Sequence, residues 1–284
     1  MNDEIKEALF TTNAVRVCEA DCPFWYTSGK LGPFYINTHF LYGSEEEADA
    51  LLTEIENAAA QDRQLFPTRI LSILLKQYES NSLYKMVTNT LIKNAKKESV
   101  DFYAGGERRD FFFSILPAYF LKKPHLSIFK DGEAVYSDVG FQKTINAGDA
   151  DLKGKTALHI VDLITEASSF TRSWLSVIRG FGAEMLAALT VVDRLQGGME
   201  ILKNEKVSGK SLVEIDRSLF QNAKERGNID EKQMELVVDF IENPDLFMPE
   251  FLAKNPDFIA TQLLLGRKNE QRARLAIEKG YAKP

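Results

Sequence analysis

The sequence predicts an α/β fold built on a parallel sheet, with helical segments before and after it in the chain. Three observations predict it. Between residues 100 and 193, β-prone runs alternate with helical stretches, which implies strands joined by right-handed crossovers. From about residue 216 onward only helix-period runs remain, punctuated by Asn243-Pro244 and Asn255-Pro256. Before residue 100 the chain is mostly helical, apart from an aromatic, turn-rich stretch at 23–43. The expected division is therefore 1–99, an α/β core at 100–215, and a helical C-terminal extension at 216–284.

The elements follow in chain order. Residues 2–9 read as a short helix with acids in its first turn. Cys22-Pro23-Phe24-Trp25-Tyr26 and Phe34-Tyr35-Ile36-Asn37 read as extended pieces around the turn chemistry of Ser28-Gly29-Lys30-Leu31-Gly32-Pro33. Ser44 with Glu47 three residues on forms a capping box that opens a helix over 44–61. Leu71, Leu74, Leu75 and Tyr78 lie at helical spacing within one helical stretch, 66–97. Strands are expected at Val100–Ala104, ending in Gly105-Gly106, then at 126–129, 155–162 and 185–192. Helices are expected at 108–121 and at 170–180, the latter with Phe170, Trp174 and Ile178 on one face. The C-terminal helices are expected at 216–224, 231–242 and 259–277.

Composition narrows the function classes. A chain of 284 residues with 44% hydrophobic and 27% charged residues is ordinary for a folded protein with a real core. The formal net charge of −6, with no basic cluster, disfavours non-specific nucleic-acid binding. The two cysteines, Cys18 and Cys22, are too few for a structural zinc site and suit a reducing cytosol. No signal peptide and no membrane span are expected. No His-Glu-x-x-His motif and no strand-borne G-x-G-x-x-G loop argues for zinc or dinucleotide binding.

Ligands of open parallel sheets bind beyond the carboxyl ends of the strands, and three such ends are chemically loaded. In Ala104-Gly105-Gly106-Glu107-Arg108-Arg109-Asp110, two glycines permit close backbone approach and an arginine can clamp phosphate. A solvated turn with surface arginines fits equally well. In Asp162-Leu163-Ile164-Thr165-Glu166-Ala167-Ser168-Ser169, an acid ends a buried strand, and hydroxyls lead into a helix N-terminus suited to an anion. Ser168 or Ser169 is expected to cap that helix whether or not a ligand binds. In Ser127-Ile128-Phe129-Lys130-Asp131-Gly132, Lys130 is either a pyrophosphate partner or an exposed lysine. His159, inside a strand pattern, reads as a satisfied core histidine, and His125 as structural.

Taken in order, from Phe24 to Gly198, these pieces resemble the phosphoribosyltransferases, and among them the orotate type. The stretch Ser28-Gly29-Lys30-Leu31-Gly32-Pro33-Phe34-Tyr35 is similar to that family's hood over the base. Ala104-Gly105-Gly106 stands at its pyrophosphate loop, and Val161 through Ser169 at its ribose-phosphate loop. Val192-Asp193-Arg194 with Gly197-Gly198 resembles the motif after the next strand. The resemblance implies transfer of ribose-5-phosphate from PRPP to a pyrimidine or related base such as orotate, with Mg²⁺, in a cytoplasmic homodimer.

Carried over residue by residue, Lys30, Phe34 and Tyr35 would face the base. Gly105, Gly106 and Arg108 would meet pyrophosphate. Thr165, Glu166, Ser168 and Ser169 stand at the 5′-phosphate. Asp162, on the ribose, and Lys130, on the leaving group, would be the catalytic pair.

The sequence also departs from the family pattern. Leu163 replaces a second acid, and Glu166 stands where a threonine is usual. Ser168 replaces a glycine, and Thr27 replaces a lysine. The closing loop keeps Lys130 but lacks a second lysine and a histidine. Each change of charge makes a polyanion's seat more negative, and a carboxylate beside a phosphate dianion repels it by roughly several kcal/mol where water is excluded. Glu166 therefore points away, binds a cation, or marks a site that no longer takes that phosphate. The alternative reading is a family member without catalysis that binds a nucleotide or sugar phosphate in a regulatory or partner-binding role.

Overall fold

The computed structural model describes residues 2–19 and 21–283, with Asn2 described by its backbone. The chain divides into two compact units, Met1–Ala14 with Thr38–Ile215, and Val15–Asn37 with Asp216–Pro284. The 1–99 segment set apart by sequence is thus shared between them. Its aromatic, turn-rich stretch groups with the C-terminal helices, and its helices group with the sheet.

The first unit is built on a seven-stranded sheet. In spatial order its strands are Ser208–Glu214, Glu184–Asp193, Thr156–Ile164, Phe102–Gly106, His125–Ile128, Ala134–Ser137 and Thr144–Asn146. The first five run parallel, and Ala134–Ser137 pairs antiparallel with both of its neighbours, His125–Ile128 and Thr144–Asn146. This antiparallel edge was not legible in the sequence, because tight turns rather than helices join its strands. The strand Ser208–Glu214 and the short helix Gly198–Asn204 were likewise not foreseen.

Strand order reverses between Phe102–Gly106 and Thr156–Ile164. From the first the chain proceeds to one side of the sheet, and from the second to the other. The loops leaving such a pair diverge and open a crevice. Both strands are buried along nearly their whole length, as a sheet covered on both faces requires. Phe170, Trp174 and Ile178 pack on the sheet as their spacing predicts.

Helices cover the sheet with some changes from expectation. Ser44 Oγ accepts a hydrogen bond from Glu47 N at 3.1 Å and opens the helix Glu45–Ala59. The stretch expected as one helix over 66–97 is two, Phe66–Ser80 and Ser82–Ala95. Asn81 divides them: its backbone is extended and its side chain accepts from Tyr84 N at 3.0 Å, an N-cap inside an otherwise continuous apolar pattern. The helix Phe111–Phe120 buries Phe111, Phe112 and Phe113.

In the second unit, Phe24–Trp25 pairs antiparallel with Leu31–Gly32, which lies inside the stretch read as turn, and Phe34–Ile36 pairs instead with Val15–Val17; Gly29, between the first two strands, has φ 86°. Five helices follow from Arg217 to Glu278. The helix expected over 259–277 breaks at Gly266, whose φ of 68° is left-handed. The last helix, Arg267–Glu278, lies against the turn: Arg272 Nη1 donates to the Thr27 carbonyl at 2.7 Å and Lys279 Nζ to the Ser28 carbonyl at 3.1 Å. Among the described residues no helix is long and apolar enough to cross a membrane.

Candidate functional site

At the strand-order reversal lies a cleft of about 330 Å³, walled by the loop 107–110 and the stretch 161–170, with Trp174 behind. Asp162 lines it. The residue is 9% exposed and lines the floor of the cleft.

The floor holds a second acid that the sequence reading did not single out. Asp110 Oδ1 accepts from Asp162 N at 3.3 Å, and its Oδ2 accepts from Gly106 N at 3.0 Å. Burial raises the pKa of both carboxyls, and the charge of Asp110 raises that of Asp162 further. The Arg109 guanidinium opposes this at Asp162. The available signal for Asp110 was an acid immediately before a run of buried phenylalanines. Such an acid normally reads as an N-cap, but Asp110 makes no cap bond and turns back to Gly106 instead.

Behind the pair, His159 is fully buried and burial lowers its pKa to about 3. Its Nε2 is 3.4 Å from Asp110 Oδ2 but is not oriented for a hydrogen bond, and neither ring nitrogen has a hydrogen-bond partner among the described residues. The expected core histidine is therefore core but unsatisfied. Trp174 stacks on it at 5.8 Å, and Phe170 meets it edge-on at 5.4 Å. His125 is satisfied by Ser114 Oγ at 3.1 Å and Ser127 Oγ at 3.0 Å.

Gly105 and Gly106 lie within the strand and do not line the cleft. A methyl on Gly105 would fall 2.1 Å from Ser114 Oγ, and one on Gly106 would fall 2.3 Å from the Trp174 ring. The absent side chains make room for protein, and the Gly106 N–H is spent on Asp110. Arg108 is exposed on the cleft rim and ion-paired to Glu56. Arg109 is the half-buried arginine, beside Asp162 and His39. The buried His39 imidazole, pushed down to about 3 by burial and then by the two arginines, adds no charge there.

Thr165, Glu166, Ser168 and Ser169 all line the cleft, with Glu166, Ser168 and Ser169 exposed. The helical stretch 168–180 contains a π-helical turn, Phe170–Trp174, near its start, and among the described residues no serine hydroxyl caps it. The expected cap is absent, and Ser168, Ser169 and Phe170 of the first turn line the cleft. The loop's positive φ falls at Ala167 (47°), not at Ser168. Gly198 supports the loop from behind, where a methyl would lie 2.6 Å from the Thr165 carbonyl oxygen.

Lys130 is exposed and does not line the cleft. It sits in the tight turn 129–133, where Gly132 N bonds Phe129 O at 3.0 Å. Arg63 holds that turn, stacking 4.5 Å over Phe129 and pairing with Asp131 at 2.8 and 3.2 Å. Glu107 accepts from Lys130 N at 2.9 Å.

In the second unit, Lys30 pairs with Asp245 at 2.8 Å, which raises its pKa. Phe34 is a core residue, its ring 5.1 Å from Phe220 and 5.5 Å from Phe240, so it presents no face to a base. Tyr35 is half-buried against Phe24 and Tyr26.

No family model and no curated protein matches the chain. Solved structures do. A Leishmania donovani UMP synthase aligns over 84% of this chain and 42% of its own, at 15% identity and a TM-score of 0.57. A Francisella tularensis orotate phosphoribosyltransferase aligns over 84% of this chain and 97% of its own, at 13% identity and a TM-score of 0.53. The chain spans less than half of the first of these proteins and nearly all of the second. It therefore has the phosphoribosyltransferase fold.

Proposed function

We propose that the cleft binds the ribose-5-phosphate part of PRPP and that the chain transfers it to a nitrogenous base, orotate or a related pyrimidine. The observation that supports this reading is the meeting of Asp162, Arg109 and the uncapped loop 165–169 in one cleft at the strand-order reversal. The two aligned proteins, a UMP synthase and an orotate phosphoribosyltransferase, favour a base of the orotate class.

The roles follow from chemistry. Helix N–H groups with the hydroxyls of Thr165, Ser168 and Ser169 receive the 5′-phosphate. Asp162 meets the ribose. Arg109 neutralises the departing diphosphate, which leaves with the electron pair of its bond to C1 while a base nitrogen bonds to C1 and sheds its proton. The cleft does not fit a chain-held magnesium ion: among the described residues no three His, Cys, Asp or Glu side chains come together, and Leu163 stands beside Asp162. Mg²⁺ prefers substrate phosphate and water oxygens, so it belongs to this reading as a companion of the diphosphate, and no step is assigned to it. A homodimer and a cytoplasmic location are parts of the same reading.

A second reading is binding of a sugar phosphate or nucleotide without transfer. It is favoured by the anchored turn 129–133, which keeps Lys130 out of the cleft. Pyrophosphate release from PRPP and Mg²⁺ with orotate and a panel of bases tests transfer, and calorimetry with PRPP tests binding. Turnover supports the first reading, and micromolar binding without turnover supports the second. Neither binding nor turnover rejects both.

A further inference from the structure

Two carboxyl groups share the floor of the cleft, and their surroundings are unequal. Asp110 accepts hydrogen bonds from two backbone N–H groups, those of Gly106 and Asp162. Such bonds favour the charged form of the acceptor. Asp162 has Asp110 against it on one side and the open cleft on the other, with Arg109 as its nearby cation. Two buried carboxylates in contact cannot both ionise cheaply, so one proton stays with the pair.

We propose that Asp110 is a positioning residue of the cleft: it takes the pair's single negative charge onto its backbone-bonded carboxylate and keeps the shared proton on Asp162. Asp162 then meets a sugar phosphate as a hydrogen-bond donor, and the floor presents one negative charge where two ionised acids would present two. This inference deepens the sugar-phosphate reading and rests on it for the identity of the ligand. It also addresses a difficulty of the sequence, which replaces or adds charges so as to make a polyanion's seat more negative.

The other groups around the pair do not supply that proton. His159, from the same strand as Asp162, is fully buried and neutral, and it lies 3.4 Å from Asp110 without a hydrogen bond. Trp174 and Phe170, from the following helix, are uncharged. From the turn Thr38–Tyr42, the neutral His39 faces Arg109 and Arg108. Arg108 is tied to Glu56 of the helix Glu45–Ala59. Glu107 is engaged with Lys130 N, and Glu166 is exposed at the mouth. Arg109, and more weakly the backbone N–H groups of Leu163 and Asp162, pull toward ionisation at Asp162, and burial with the Asp110 charge opposes them.

The proton is read directly by carboxyl ¹³C NMR of aspartate-labelled protein, titrated without ligand. Expected is one carboxyl pair that retains a single proton well above the ordinary carboxylate range, with its protonated resonance assigned to Asp162 by loss in Asp162→Asn. Asp110→Asn shifts the Asp162 titration acidward. Binding of ribose 5-phosphate, measured by calorimetry against pH, gives the consequence. Wild-type affinity falls by about tenfold per pH unit once the shared proton leaves. The fall is absent in Asp162→Asn, whose amide is always neutral, and its midpoint moves acidward in Asp110→Asn. Titration of the phosphate itself is common to all three proteins and cancels in their ratios.

Two ordinary carboxyl titrations in the free protein overturn the inference whatever the ligand. Binding with the same pH profile in all three proteins overturns it as well. A retained proton with no ribose 5-phosphate binding at any pH overturns the sugar-phosphate reading instead, and leaves the proton's placement standing on the NMR.

Discussion

Replacing Gly106 by alanine tests whether the strand and the helix behind the cleft are locked together as described. The new methyl would fall 2.3 Å from Trp174 Cζ2 and 2.5 and 2.6 Å from two further ring atoms. Carbon contacts are normally about 3.5–4.0 Å, so strand and ring must part by about 1 Å or more. Neither side yields easily. Gly106 is in register with Ile128 and donates to Asp110, while Trp174 is 7% exposed and stacked on His159. Overpacking of this kind costs about 1–3 kcal/mol, and the rigidity of both partners puts Gly106→Ala at the upper end. In a unit of this size that lowers Tm by about 5–10 °C. Trp174→Ala alone loses about 3–5 kcal/mol through the cavity it leaves. In the double variant the methyl enters vacated space, so the alanine penalty largely disappears and the cycle shows a coupling of about 1–3 kcal/mol. Urea and thermal unfolding of the four proteins measure this. If Gly106→Ala melts with the wild type, or its penalty persists undiminished without Trp174, the packing account of Gly106 is wrong.

Three further outcomes are expected. Arg109→Ala weakens ribose 5-phosphate binding by roughly ten- to a hundredfold, the range for a lost charge-assisted hydrogen bond of about 1.5–3 kcal/mol. Arg108→Ala, already paired to Glu56, changes it by less than about threefold, and calorimetry that ranks the two the other way contradicts the assignment. Glu166→Gln tightens the same binding by a few-fold at low salt, and the gain shrinks as salt screens the exposed carboxylate; a loss of affinity would show that Glu166 contacts the ligand favourably. Finally, burial raises the pKa of the Asp110–Asp162 pair, so the folded chain holds a proton that the unfolded chain has released. The sign is that stability falls as pH rises from the ordinary carboxylate range through the pair's titration, then levels off. In urea unfolding from about pH 4 to about pH 8, the wild type is expected to lose stability relative to Asp110→Asn as pH rises; a wild type that gains stability relative to the variant contradicts this.

Much of the sheet was legible because its evidence is local. Val100–Ala104 and the run ending at Asp162 are β-prone, and Phe170, Trp174 and Ile178 repeat at a helical period, so strands, helices and parallel order could be read directly. The split at Asn81 and the break at Gly266 were missed because one capping or left-handed residue interrupts a pattern that continues on both sides of it. The antiparallel edge was missed because short strands with tight turns lack a long periodic signal.

The cleft was legible in its address and not in its wiring. Asp162 and the hydroxyl loop could be named from a strand end followed by a helix start, since every open parallel sheet places such ends together. Identity of residue types could not say which neighbour each side chain would meet. Arg108 and Arg109 are identical in type and adjacent, yet only packing assigns one to Glu56 and the other to the space beside Asp162. Gly105 and Gly106 imply a close approach, but only the fold shows that serine and tryptophan make it. Asp110 lies 52 residues from Asp162, and a carboxyl's charge depends on what lies within a few ångströms. Local periodicity therefore determined the elements and their order. Tertiary structure decided which acids meet, because burial and contact arise only once distant segments are packed together.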